Sequence, residues 1–188
     1  MATVSLDLES PDDLKTLDAQ WRFGPGWIPG EPNEGLVSQT AESPARLADY
    51  DDSGWEVISD VEPGGPDASS GTASDPGLRK MRSVGFTFGW YRIRVTLPDR
   101  VDGADVSGAK MWFETNIDDY GEVWIDGEWD NPAGAVNGFN VTNRVLVTDN
   151  VRPGATHVIA CLAVNGPLGR PGGGIFLRYG RLDFEIDR

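Results

Sequence analysis

Apolar and polar positions alternate with period two through the second half of the chain, the pattern of strands that bury one face. Between Phe86 and Leu97, the residues Tyr91, Ile93, Val95 and Leu97 fall on one side, and Trp90, Arg92 and Arg94 on the other. Lys110 to Ile117 repeats the pattern, with Met111 and Phe113 opposite Trp112 and Glu114. Glu122 to Asp126 sets Val123 and Ile125 against Glu122, Trp124 and Asp126. Asp126-Gly127 then reads as a hairpin turn, because both residues tolerate positive φ. A short strand is expected over 144–148. A longer one runs from His157 to Val164, with Val158, Ala160, Leu162 and Val164 directed at the core. Residues 175–186 close the chain as a strand with a bulge at Gly180, where the alternation slips by one.

The first half is less regular. Asp12 to Leu17 fits one short helical turn, and Trp21-Arg22-Phe23 is a strand-like fragment before the breakers Gly24-Pro25-Gly26. Residues 1–46 are expected to be an irregular N-terminal extension. Residues 62–83, rich in Gly, Pro, Ser and Asp, are expected to form a long loop or lid. Short strands between turn signals predict an all-β, two-sheet antiparallel sandwich occupying 1–188 as a single domain. Its interior should hold Tyr91, Val95, Phe113, Ile125, Leu162 and Phe184. The 24 Gly and 13 Pro, about one residue in five, suit such a turn-rich chain.

Charge narrows the partners. Thirty acidic against sixteen basic residues leave a net charge of −14, which disfavours nucleic acid and anionic membranes. Cys161 and His157 are alone of their kinds, so an intramolecular disulfide, a multi-thiolate metal site and a His cluster are excluded. The N-terminus lacks a basic region followed by an apolar run, so a cytoplasmic protein is expected.

The order Asp51-Asp52-Ser53-Gly54-Trp55, Trp90-Tyr91-Arg92, Asp118-Asp119-Tyr120-Gly121-Glu122-Val123-Trp124-Ile125-Asp126-Gly127, Asn137 to Asn140, Pro153-Gly154 and Gly172-Gly173-Gly174-Ile175-Phe176-Leu177 resembles the galactose-binding-domain-like jelly roll. The resemblance runs over roughly residues 47–186. It is strongest to the sugar-binding domain of β-galactosidase and β-glucuronidase relatives, and extends to modules attached to gluconolactonase-like proteins. It implies a jelly-roll sandwich in which Asp118 and Asn165 occupy positions that reach a neighbouring active site in that family. The family's catalytic barrel has no counterpart in these 188 residues, and fold alone does not transfer function.

The candidate chemistry is therefore a ligand surface. Asp118, Asp119 and Glu122 form the densest carboxylate group, suited to sugar hydroxyls, to acid–base work or to Ca²⁺. Trp90, Trp112, Trp124 and Trp129 offer flat platforms for sugar C–H faces. Arg92 is expected to pair with Glu114 or Glu122, while Asn165 and the loop residue Arg170 complete the ligand-binding set. The leading expectation is a carbohydrate or other small polyhydroxylated ligand, bound without a cofactor, with a structural calcium as an open alternative. A second is a cofactor-independent small-molecule enzyme (cyclase, isomerase, lyase or hydrolase) using Asp118, Asp119 or Glu122 as acid and base beneath the 62–83 lid. A third is an assembly domain whose exposed aromatics form a partner interface. A homodimer or a separate catalytic partner fits any of these.

Overall fold

The period-two segments pair as antiparallel strands in two sheets that face each other across one apolar layer. The computed structural model describes residues 2–29, 43–58, 78–82, 87–117, 120–137, 141–165 and 174–186. In chain order the strands are β1 (Ala2–Asp7), β2 (Trp21–Pro25), β3 (Glu56–Val57), β4 (Leu78–Arg82), β5 (Thr87–Thr96), β6 (Arg100–Val101), β7 (Ala104–Asp105), β8 (Lys110–Ile117), β9 (Tyr120–Ile125), β10 (Ala135–Asn137), β11 (Val141–Thr148), β12 (Thr156–Asn165) and β13 (Gly174–Ile186). One helix, α1 (Pro11–Thr16), is capped by Ser10, whose hydroxyl accepts from the Asp13 amide, and starts on Pro11.

One sheet has the order β1-β13-β8-β11, with β4 also on β13; the other runs β10-β9-β12-β5-β2-β3. Consecutive strands keep switching sheets: β8 lies in the first, β9 and β10 in the second, β11 in the first, β12 in the second and β13 in the first. That back-and-forth wrap is the jelly-roll form of the sandwich. Between the sheets lie Trp21, Phe23, Tyr91, Ile93, Val95, Phe113, Val123, Ile125, Ile159, Cys161, Leu182 and Phe184, all buried. Burying an aromatic or branched aliphatic side chain is worth roughly 1.5–3 kcal/mol, so this layer supplies the main driving force for folding.

Two expectations about irregular segments are corrected. Residues 2–25 are ordered into β1, α1 and β2, because Val4 and Leu6 alternate with Thr3, Ser5 and Asp7 and pair in register with β13. Within 62–83, Leu78–Arg82 forms a strand on β13; the rest of that segment lies outside the described residues.

A third correction concerns β12. Ile159, Cys161 and Ala163 enter the inter-sheet core, whereas Ala160, Leu162 and Val164 point outwards into a second apolar cluster with Trp27, Trp90 and Trp124. Leu162 is buried as expected, on the other side of its sheet. The strand sits between β9 and β5 and is covered on both faces, so apolar residues occupy both parities and neither stands out in sequence. The bulge expected near Gly180 is present as a register shift between Leu177 and Gly180.

The Asp126-Gly127 turn has φ of 51° and 86°, the doubly left-handed geometry of a tight hairpin. Asp126 also ties it to β12, accepting from the Val158 amide at 2.7 Å and contacting His157 Nδ1 at 2.6 Å. Burial opposes the carboxylate charge, but the bonds from His157 and Val158, with Arg94 nearby, prevail and hold its pKa below the usual 3.8. A depressed carboxylate stabilises the fold in full above its unfolded pKa and loses that contribution as pH falls through the folded value. The melting-temperature gap between the parent and Asp126→Asn should therefore be full at neutral pH and close as the pH drops below 3.8. A melting series in pH reads this directly.

Gly121 is one place where the backbone of one sheet meets a side chain of the other at close range. A Cβ there would sit 2.4–2.6 Å from Ile117 side-chain atoms, including its Cβ, which the backbone fixes. Gly121→Ala should cost about 1–3 kcal/mol in urea unfolding. Gly54→Ala, with nothing within 4 Å, should be near neutral.

Candidate functional site

Strand register decides which side chains meet on the outer face of the six-stranded sheet. Glu122, Leu162, Trp90 and Gly24 lie in one cross-strand row, and Trp124, Ala160, Arg92 and Arg22 in the next. The structure thus brings Trp90, Arg92, Glu122 and Trp124 onto one face, as their alternation predicts. It also covers them. Trp90 is 0%, Arg92 1%, Glu122 2% and Trp124 4% exposed.

The cover consists of Trp27, Ile28 and residues 43–55, which lead into the edge strand β3. Trp90 donates its indole N–H to the Trp27 carbonyl at 2.9 Å, and Ser43 donates to the same carbonyl at 2.7 Å. Trp55 lies over Gly24, where a Cβ would come within 2.6 Å of the indole, so only glycine admits this contact. Trp55 is half-buried in this cover rather than part of the inter-sheet core.

Arg92 pins the cover down. Its Nε donates to Asp52 Oδ2 at 2.9 Å, and its Nη atoms donate to the carbonyls of Ala45, Leu47 and Tyr50. Tyr50 and Trp55 flank the guanidinium, with ring centroids 5.5 and 5.9 Å away. The pairing with Glu114 or Glu122 expected from sequence is not made. Glu114 lies on the opposite sheet, where Arg144, Arg181 and Tyr179 hold it, and Glu122 lies on β9 in the neighbouring row, across Leu162 from Trp90. Asp51 accepts the Ser53 amide at 3.0 Å, while its neighbour Asp52 serves as the counter-ion of Arg92.

At the β9–β10 edge, Glu122 has a different environment. One carboxylate oxygen accepts the Tyr120 hydroxyl and the other accepts Trp124 Nε1–H at 3.2 Å. Burial, and then the bond to Glu122, push the Tyr120 phenol far above its ordinary pKa, so it remains a donor. Trp129 stacks on Trp124 at 5.2 Å, and its own indole N–H is buried without a hydrogen-bond partner. Arg46 lies over Trp124, 5.3 Å from the ring centroid. Sequence reasoning missed Tyr120, Asp52 and Arg46 as members of this face. The signal for Tyr120 was its spacing of two and four residues from Glu122 and Trp124; nothing local marked the others.

Other expected residues lie elsewhere. Trp112 is on the outer face of the five-stranded sheet beneath Arg144, whose guanidinium carbon is 5.3 Å from its ring centroid, so it belongs to no common surface with Trp90 and Trp124. Asn165 ends β12, with its backbone paired to Thr87. Asp118, Asp119 and Arg170 lie outside the described residues. Among the described residues, no group of three His, Cys, Asp or Glu side chains is arranged to hold a metal ion, and no helix is long and apolar enough to cross a membrane.

Solved structures share the fold over nearly the whole chain. A calcium-binding mutant of Bacteroides uniformis β-glucuronidase 2 matches 97% of it with a TM-score of 0.58 and 16% identity, over 18% of that chain. A glycosyl hydrolase family 2 member from Bacteroides cellulosilyticus matches 96% with a TM-score of 0.55 and 18% identity, over 20% of its length. A β-glucuronidase from Ruminococcus gnavus, in complex with a C6-substituted uronic isofagomine, matches 98% with a TM-score of 0.52 and 13% identity, over 29%. The galactose-binding-like resemblance read from the sequence is thereby upheld at the level of fold. No protein-family model matches the chain, and no curated protein matches it significantly.

Removing the buried cation tests the role of the cover. Arg92→Met leaves Asp52 and three carbonyls without their donor, and should cost about 2–4 kcal/mol. Amide exchange should rise first across residues 43–55 while the β5–β12 ladder stays protected.

Proposed function

We propose that this chain is a carbohydrate-binding module, with the sugar seated at the β9–β10 edge of the six-stranded sheet. The observation that carries this reading is the Glu122 carboxylate held between Tyr120 and Trp124, with Trp129 stacked alongside. Glu122 itself is sealed from solvent, and its two bonds fix the Tyr120 phenol and the Trp124 indole so that the aromatic edge is held in one orientation. Half-buried Tyr120 and Trp129 present aromatic surface for the C–H face of a pyranose. Asp118, two residues before Tyr120, and Asn165, beside Val164, which pairs with Tyr120, are the further ligand contacts in this proposal. Arg170 completes the set.

The solved neighbours support the sugar assignment coarsely, since those described above are glycosidases in which this fold is about a fifth to under a third of the chain. Bond cleavage is assigned here to a separate catalytic partner. Glu122 gives no support to an acid–base role, being sealed from solvent with both oxygens already bonded. The enzyme alternative then rests on Asp118 and Asp119.

Binding is measured by calorimetry against galactose, glucose and short oligosaccharides. Asp118→Asn and Trp129→Ala should each weaken the best ligand about ten- to a hundredfold, the worth of one charged hydrogen bond or one aromatic platform. Unchanged affinity in both variants overturns the site. Hydrolysis of a chromogenic glycoside by the parent, abolished in Asp118→Asn with binding retained, selects the enzyme instead.

A further inference from the structure

A concavity lies on the same sheet face at its other end, away from the Glu122 row. It is a groove of about 540 Å³ between the end of α1, β2 and the Arg94 position of β5. That volume falls within the ordinary range of small-molecule sites. Its floor is apolar: Leu14 and Ala19 line it and pack against the inter-sheet core. Its walls carry Lys15, Arg22 and Arg94 against Asp18 and Asp52, with the Gln20 amide between them.

The charges do not cancel locally. Asp52 is committed to Arg92 at 2.9 Å and lies 3.8 Å from Arg22, which also donates to the Ser53 carbonyl at 3.2 Å. Arg94 donates one N–H to the Ala48 carbonyl and lies near enough to Asp126 to help lower its pKa, but forms no ion pair among the described residues, so its other donors are open. Lys15 has no ion pair among the described residues. Two cations with open donors therefore face a groove in which Asp18 is the one uncommitted carboxylate, on a molecule whose net charge is −14. A net charge this negative repels anions on average, so a concave spot where cations outnumber carboxylates favours an anion.

Backbone geometry fixes this arrangement. The Ala19 amide bonds the Leu14 carbonyl and the Asp18 amide bonds the Lys15 carbonyl, while Asp18 takes a φ of 47°. This is a Schellman close with an aspartate in the left-handed position that glycine fills most cheaply. The Leu17 carbonyl accepts the Thr96 amide at 2.7 Å, locking the close to β5 two residues from Arg94.

We propose that this groove binds a small polyhydroxylated carboxylate, an acidic sugar or sugar acid. The carboxylate meets Lys15 and Arg94, and the hydroxyls meet Asp18 and Gln20 over the apolar floor. Neither half of the ligand suffices alone: hydroxyls without charge leave the cations unanswered, and charge without hydroxyls leaves Asp18 repelling its neighbour. The site is independent of the β9–β10 edge, so the two proposals stand or fall separately.

The test is titration of the 188-residue protein with sodium D-galacturonate, D-galactose and sodium acetate, followed by amide chemical shifts and calorimetry. Galacturonate should perturb residues 14–22 and Arg94, and bind about tenfold or more tightly than galactose or acetate. Lys15→Gln and Arg94→Gln should each weaken it about three- to tenfold without moving the melting temperature, and added salt should weaken it further. Equal binding of galactose, equal binding of acetate, or full galacturonate affinity in the Lys15→Gln/Arg94→Gln double variant overturns the proposal. So does the absence of any galacturonate shift at residues 14–22. Trp129→Ala should leave this binding unchanged; loss there would move the acidic-sugar site to the other end of the sheet and likewise overturn it.

Discussion

Everything on the outer face of the six-stranded sheet hangs on one buried cation. Arg92 is 1% exposed, and taking a guanidinium out of water costs several kcal/mol unless each N–H finds an acceptor. Asp52 and the carbonyls of Ala45, Leu47 and Tyr50 meet that demand together, and they belong to one stretch of chain. Holding Arg92 therefore means holding residues 45–52 flat against the sheet. The requirement is reciprocal, since the buried Ala45 carbonyl would otherwise lack its donor. A polar constraint thus fixes the position of an apolar cover, and Trp27, Trp90 and Trp55 pack beneath and beside it.

This second layer changes what the sheet can do. In a sandwich with one solvated face, outward Trp and Arg side chains would form a ligand platform. Here β12 and β5 are buried on both faces, so the centre of the sheet is structural and chemistry is displaced to its ends. At one end the aromatic and carboxylate groups of β9 reach the edge strand β10. At the other, Arg22 and Arg94 continue the basic positions of the same face, with Asp52 of the cover 3.8 Å from Arg22. The two ends have opposite characters, one aromatic around a buried carboxylate and the other a groove in which cations outnumber carboxylates.

The opposite sheet shows the same economy of charge in a solvated setting. Glu114 and Asp183 sit between Arg144 and Arg181, with Tyr179 and Ser5 adding hydrogen bonds. Desolvation opposes the Asp183 charge, yet the bonds from Arg144 and Ser5 hold its pKa below the ordinary carboxylate value. Trp112 is sheltered under Arg144 within this lattice, which accounts for an outward tryptophan that is not a ligand platform.

Much of this was legible in the chain. Period-two alternation marked β5, β8, β9 and β13, the Asp126-Gly127 turn and the shared face of Trp90, Arg92, Glu122 and Trp124, because side-chain parity in a strand is set by backbone geometry alone. The order of motifs pointed to the jelly roll. The tertiary structure decided three further things. It set which face of β12 is the inside, since apolar residues occupy both parities when a strand is covered twice. It made Asp52, forty residues away, the partner of Arg92 rather than the nearer acids, since that partner arrives with a loop whose path no local pattern encodes. It also gathered Lys15, Arg22 and Arg94 around one groove from α1, β2 and β5, since such convergence depends on strand order. Parity is a property of neighbours along the chain, and a sequence carries it; burial of a face, the partner of a charge and the walls of a cavity are properties of neighbours in space.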